Sequence, residues 1–124
     1  MKGHKIMYAE KTTDTILRIR NGEDGPVLFD AQSALDIIAA AWHEGNCKKL
    51  IIDKTDVAET FFDLKTGLAG EILQKFVNYG FRIAIVGDYS AYTSKNLRDF
   101  IYESNKGKII NFTGTLEEAI SNLK

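Results

Sequence analysis

Two sets of residues in this sequence are of types that could do chemistry. The first is acidic and hydroxylic: Asp53, Asp56, Asp88, Tyr89 and Ser90 stand just beyond the apolar runs Leu50-Ile51-Ile52 and Ile83-Ala84-Ile85-Val86. Residues that follow buried strands collect at the carboxyl edge of a parallel sheet, where open α/β folds place their ligand crevices. Two acids there could hold a magnesium ion or divide acid–base work, provided they converge within a few ångströms. The plainer reading makes them solvated loop acids that form turns and cap helices. The second set is Asp63, Lys65 and Thr66, which precede Gly67. A hydroxyl at a helix start can carry phosphate, whose charge the helix amides and Lys65 would favour. The plainer reading has Thr66 capping or packing in the first helical turn.

Other patterns lead away from chemistry. His43 and Cys47 are four apart but straddle Gly45, and no other cysteine is present. Zinc takes three or four ligands, so no metal and no cofactor is expected. The run Gly67-Leu68-Ala69-Gly70 lacks the lysine and following hydroxyl of a phosphate-binding loop. It reads instead as a small-residue helix face that lets the helix approach the sheet or another subunit. Tyr79, Phe81, Tyr89, Tyr92 and Tyr102 fall on several elements and read as core edge and surface, not as a base-stacking platform.

The elements that must position these residues follow from periodicity. Lys5 to Lys11 and Thr15 to Arg20 alternate, the second with Leu17 and Ile19 on one side and Arg18 and Arg20 on the other. Joined by Thr12-Thr13-Asp14, they predict an antiparallel hairpin. Residues 21–26, rich in turn formers, predict a loop. Leu35, Ile38 and Trp42 recur at helical spacing, with Asp30 or Ser33 as cap and Gly45 as the end. A buried strand follows over residues 49–53. Leu64, Leu68, Ile72 and Phe76, reinforced by Leu73 and Val77, predict a second helix capped by Thr60 or Asp63. Residues 81–86 form another buried strand, and Leu97, Phe100 and Ile101 mark a third helix after Thr93 or Ser94. A last strand spans 108–112, and Thr115 with Glu118 makes a capping box for a closing helix. The order is β-β-α-β-α-β-α-β-α, an α/β class with an N-terminal antiparallel hairpin and parallel central strands.

Composition bounds the rest. The chain has 124 residues, 44% hydrophobic and 27% charged, with one proline and a net charge of −1. That is the composition of a single globular domain over residues 1–124, not of a disordered tail. Near-neutral charge provides no field to gather nucleic acid. The apolar runs fall far short of the roughly 20 residues needed to span a bilayer, so no membrane partner is expected. The N-terminus runs into an alternating segment with no apolar signal region, and a lone cysteine suits a reducing compartment. Both point to the cytoplasm.

The blocks Ile51-Ile52-Asp53-Lys54, Phe61 to Phe76, Ile83 to Ser90 and Tyr92 to Gly107 together resemble the bacterial family of uncharacterised proteins catalogued as domain of unknown function 4180. The resemblance implies a small stand-alone protein and supports the fold. The element order is similar to that of the sulfate-transporter and anti-sigma-factor-antagonist domain, a STAS-like fold. In anti-sigma-factor antagonists the second helix opens on Asp-Ser-Ser-Gly-Leu-Gly, with a phosphorylated serine. The matching stretch here reads Asp63-Leu64-Lys65-Thr66-Gly67-Leu68, with both serines absent and Thr66 as the hydroxyl beside the glycine. That resemblance implies a phosphoacceptor at Thr66.

Three functions are compatible with these residues. One is a non-enzymatic regulatory module that meets a protein partner through Thr66, Lys65 and Asp63. Another is a small-molecule binder or enzyme using the acids at the strand ends. The last is a homo-oligomer that pairs through helix two or the hairpin edge.

Overall fold

The computed structural model describes residues 7–21, 25–45 and 47–124. The elements are β1 (Met7–Lys11), β2 (Ile16–Asn21), α1 (Ala31–His43), β3 (Lys49–Asp53), α2 (Leu68–Asn78), β4 (Arg82–Val86), α3 (Lys95–Lys106), β5 (Ile110–Thr113) and α4 (Leu116–Leu123). Three short 3-10 turns, Lys54–Asp56, Glu59–Phe62 and Leu64–Thr66, lie between β3 and α2. The five strands form one sheet in the order β1-β2-β3-β4-β5. β1 is antiparallel to β2, and every later pairing is parallel, as the alternation of elements predicted.

Strand order explains the layers. Each of α1, α2 and α3 carries the chain one strand further in the same direction, so right-handed crossovers put all three helices on one face. That face holds the main core: Leu17, Ile19, Leu50, Ile52, Ile83, Ile85 and Phe112 from the sheet meet Ile37, Ile72, Phe76 and Leu97 from the helices. The alternate residues Ile16, Ile51 and Ala84 face the other way, where Ala119 and Leu123 of α4 cover them. Each fully buried aliphatic side chain contributes about 1.5–3 kcal/mol relative to exposure. α4 rests on β4 and β5, and Arg82 ties it down by donating from Nη2 to the Asn122 carbonyl at 2.8 Å.

Local chemistry sets the element ends. Asp30 caps α1 by accepting from Ser33 N–H at 2.7 Å, while Ser33 Oγ accepts from Asp30 N–H at 3.0 Å. Thr115 caps α4, and Glu118 reaches back to Gly114 N–H at 2.9 Å rather than to Thr115. The outer edge of β5 is closed by Asn105: its carboxamide accepts from Phe112 N–H at 2.7 Å and donates to Phe112 O at 3.2 Å. One side chain thus stands in for a neighbouring strand.

Several sequence expectations are corrected. The buried stripe of α1 is Ala34, Ile37, Ile38 and Ala41, whereas Trp42 is 53% exposed. Small residues let α1 lie against α2 and the sheet, and the indole, too large for that seam, sits outside with its edge on Tyr79. The second helix begins at Leu68, not Leu64, because Gly67 has φ 77° and breaks the helical path. Asp63 therefore accepts from Lys65 N–H within the last 3-10 turn and does not cap α2. Val77 lies on the exposed side of α2, 45% accessible. A methyl group at Gly70 would meet open space, so this glycine provides no close approach to the sheet. Lys5 and the tip of the loop after β2, residues 22–24, lie outside the described residues.

Candidate functional site

β3 and β4 run side by side in register, Asp53 opposite Val86, so the chain leaves both strands at one level of the carboxyl edge. Lys54 and Gly87 are the next residues, and they touch. The stem of Lys54 crosses Gly87 so closely that an added Cβ there would stand 2.9 Å from Lys54 Cδ and 3.2 Å from Cγ, and nearer still to Cβ. Glycine is required for this passage by space alone, since its backbone is not among the positive-φ positions.

Beyond Gly87 the ammonium of Lys54 reaches over two rings, 5.3 Å from the centroid of Phe62 and 4.9 Å from that of Tyr92. The rings themselves stack at 5.2 Å with 20° between planes. Lys54 Nζ is 3.8 Å from Glu59 Oε1, and Tyr92 donates its phenol proton to Glu59 Oε2 at 2.7 Å. Burial first, then the Glu59 carboxylate, holds the Tyr92 phenol above its ordinary pKa, so it remains a donor. The end of β3, the second 3-10 turn and the β4–α3 loop are thereby tied through one cation, one anion and two rings. Charges arranged over aromatic faces in this way contribute about 0.5–2 kcal/mol.

The acids predicted from sequence fall into separate places along this edge. Asp53 receives Arg18 Nη2 on both oxygens, at 2.9 and 3.0 Å. Asp56 accepts from Asn21 N–H at 3.4 Å, and its carbonyl takes Val27 and Leu28 N–H at 2.8 and 3.0 Å. Burial raises the Asp56 carboxyl above the usual range; the Asn21 amide opposes this, and the Asp53 charge adds to it. Asp88 is fully exposed, accepts from Ser90 N–H at 2.9 Å and is held below the ordinary range mainly by that bond. Tyr89 turns inward, donating to Ile85 O at 2.6 Å with its ring 5.5 Å from that of Phe112. Among the described residues no three His, Cys, Asp or Glu side chains are grouped to hold a metal ion. Nor does the strand order reverse at any point, and the reversal is what opens a ligand crevice in doubly wound sheets.

Asp63, Lys65 and Thr66 do stand together, on the 3-10 turn that leads into α2. Phe61 and Phe62, both buried, anchor the segment from below. Thr66 Oγ1 is the hub of the turn: it donates toward Asp63 O at 2.9 Å, lies 3.2 Å from Thr60 O, and accepts from Leu68 N–H at 3.1 Å. The threonine is nevertheless exposed. Between this segment and the β4–α3 loop lies an open hollow of about 610 Å³, with Phe62, Leu64, Tyr92 and Leu97 below and Glu59, Asp63, Lys65 and Ser94 among its polar lining.

Lys54 and Glu59 were not singled out from sequence, and Tyr92 was read there only as core edge or surface. Gly87, directly after a buried strand, was the available signal, but only the register of β3 on β4 brings Lys54 to it.

Two solved structures are similar to this chain. One is a candidate anti-sigma factor antagonist from Thermotoga maritima, 16% identical, with a TM-score of 0.48 over 94% of this chain and 93% of the other. The second is the Bacillus cell fate determinant SpoIIAA in its phosphorylated form, 18% identical, with a TM-score of 0.45 over 96% and 100%. No curated protein matches the sequence significantly. The family model for the domain of unknown function DUF4180 matches residues 11–123, which take in β2 to β5 and all four helices, and the chain belongs to that family.

Proposed function

We propose that this protein is a docking module for a protein partner, that its contact surface is the 59–67 segment with the adjoining residues 91–97, and that phosphorylation of Thr66 switches it. The supporting observation is the double character of Thr66: exposed to a modifying enzyme, yet bonded through one hydroxyl to Asp63 O, Thr60 O and Leu68 N–H. Esterification removes the hydroxyl hydrogen, so both carbonyls lose their donor. They then face a group of roughly two negative charges, with the Asp63 carboxylate as a further repulsive neighbour. Lys65 is the adjacent cation. The turn must reshape, and the partner that reads its shape must respond.

A surface that is irregular in backbone but anchored by buried phenylalanines is suited to recognition, because the scaffold fixes the loop. The apolar floor of the hollow adds a place for a partner's side chain. The test is a pull-down of cellular proteins on wild-type, Thr66→Val and Thr66→Glu baits, with intact-mass analysis of the native protein. A specific partner lost on Thr66→Glu, together with native phosphate on Thr66, supports the switch. No partner and no modification sinks it.

A small-molecule site at the same edge is the second reading, favoured by the hollow, whose size lies within the roughly 300–1,000 Å³ of ligand pockets. It predicts a metabolite-induced rise in Tm that Tyr92→Ala and Leu64→Ala abolish, with no protein partner retained.

A further inference from the structure

We infer that Glu59 and Tyr92 form a latch across the hollow, and that this latch carries the state of Thr66 to the residues between β4 and α3. It rests on the switch proposed at Thr66 and gives that switch a second place to act. The hollow has two walls of separate origin, residues 59–65 on one side and residues 91–97 on the other. Across it runs the bond from the Tyr92 phenol to Glu59 Oε2, 2.7 Å long and between residues 33 apart in the chain. The Lys54 ammonium stands 3.8 Å from the other oxygen, Oε1, at the base of the same contact. A hydrogen bond to a carboxylate is stronger than one between neutral groups, so this bond sets how far apart the walls stand.

Thr66 reaches the latch through a single residue. Its Oγ1 lies 3.2 Å from Thr60 O, and Thr60 follows Glu59 in the 3-10 turn Glu59–Phe62. Phe61 and Phe62 are buried and fix the far end of that turn, whereas Glu59 and Thr60 are exposed at its near end. A phosphoryl group on Oγ1 replaces the hydroxyl hydrogen and drives the Thr60 carbonyl away. The exposed end is the part of the turn that can yield, and the Glu59 carboxylate, carried on the adjoining peptide, then leaves the phenol. On the opposite wall Tyr89 is anchored by its bond to Ile85 O, and Ser90 N–H by its bond to Asp88 Oδ1. Leu97 is buried at the start of α3. The released stretch is therefore confined between Ser90 and Leu97. Made or broken, the Glu59–Tyr92 bond is the two-state element that such coupling requires.

Three amide protons read the steps separately by NMR solvent exchange. Asp63 N–H, bonded to Thr60 O at 3.2 Å, reports the turn; Tyr92 N–H, bonded to Tyr89 O at 3.2 Å, reports the far wall; Ser90 N–H is the control. The proteins are wild type, Thr66→Glu, Tyr92→Phe and the double variant. Tyr92→Phe removes the phenol hydroxyl and keeps the ring stacked on Phe62, so it cuts the latch alone. Thr66→Glu is expected to speed exchange roughly tenfold at Asp63 and at Tyr92, as loss of a hydrogen bond to a charged group does, and to leave Ser90 unchanged. In the Tyr92→Phe background it should still speed Asp63 but add less than about threefold at residue 92, the non-additivity of a shared contact. Faster exchange at Asp63 with no change at residue 92 overturns the latch and leaves the switch standing. An undiminished increment at residue 92 in the Tyr92→Phe background also overturns it, because the glutamate then acts by another route. So does exchange that quickens at Ser90 as well, which marks general loosening, or an Asp63 amide that does not respond at all. Loss of a partner from the Thr66→Glu bait tests the switch itself, so the two failures are told apart.

Discussion

Substituting alanine for Gly87 tests whether the crossing of Lys54 over β4 is the close contact described. The backbone at Gly87 lies outside the left-handed region, so alanine brings no conformational penalty of the kind that glycine turns impose. All of the cost must come from the new methyl against the Lys54 stem, whose Cδ would stand 2.9 Å away and whose Cβ would be closer. Cδ can swing aside, but Cβ is fixed to the main chain, so β3 and β4 must separate or Lys54 must give up its place over Phe62 and Tyr92. Overpacking of this sort costs about 1–3 kcal/mol. For a chain of this length each 1 kcal/mol lowers Tm by roughly 4 °C and moves a urea midpoint by several tenths molar. The assay is urea unfolding of the four proteins of a cycle: wild type, Gly87→Ala, Lys54→Gly and the double variant. Removing the Lys54 side chain removes the obstacle, so the cost of Gly87→Ala should fall to near zero in that background. A Gly87→Ala variant within about 0.5 kcal/mol of wild type, or a cost that persists undiminished in Lys54→Gly, would refute the steric account.

Two further outcomes follow from particular side chains. Trp42→Ala should cost about 1 kcal/mol by denaturant titration, well below the roughly 3–5 kcal/mol of a core tryptophan, because the indole is half exposed and its aromatic neighbour is Tyr79. Asp56→Asn should be more stable than wild type at neutral pH. The folded pKa of Asp56 is raised by burial, so the protonated form suits the fold, and wild-type stability falls as pH rises through that pKa. The advantage of asparagine should therefore vanish below about the unperturbed value of 3.9 and grow as Asp56 ionises, measured as urea midpoints between acid and neutral pH. An asparagine variant less stable at pH 7 would contradict the burial argument.

Local sequence was sufficient for much of what short-range periodicity governs. Alternation along Ile16–Arg20 placed Leu17 and Ile19 inward, the apolar runs became β3 and β4, and Asp30 and Thr115 capped the helices they precede. Each of these depends on neighbours within a turn or a strand repeat, where propensity and hydrogen-bonding geometry act without knowledge of the rest of the chain. The start of α2 was misread because a four-residue apolar spacing continues through Leu64, while the positive φ of Gly67 and the hydroxyl of Thr66 end the preceding turn first. Trp42 was misread for a related reason: periodicity shows which residues share a helical face but not which seam is narrow enough to exclude an indole.

The candidate acids were legible as types and as an edge, but not in their employment. Arg18 takes Asp53 from 35 residues away, and Glu59 meets Tyr92 from 33, distances along the chain at which sequence carries no pairing signal. What the sequence by itself determined was the order of elements, and with it a one-directional parallel sheet whose three crossover helices must share a face. What only the tertiary structure decided was the register of β3 on β4 and the lie of the loops above them, because contacts between residues distant in sequence are set by how whole elements pack. Those contacts lay Lys54 across Gly87, turn Tyr89 inward and leave Thr66 exposed at the hub of its turn.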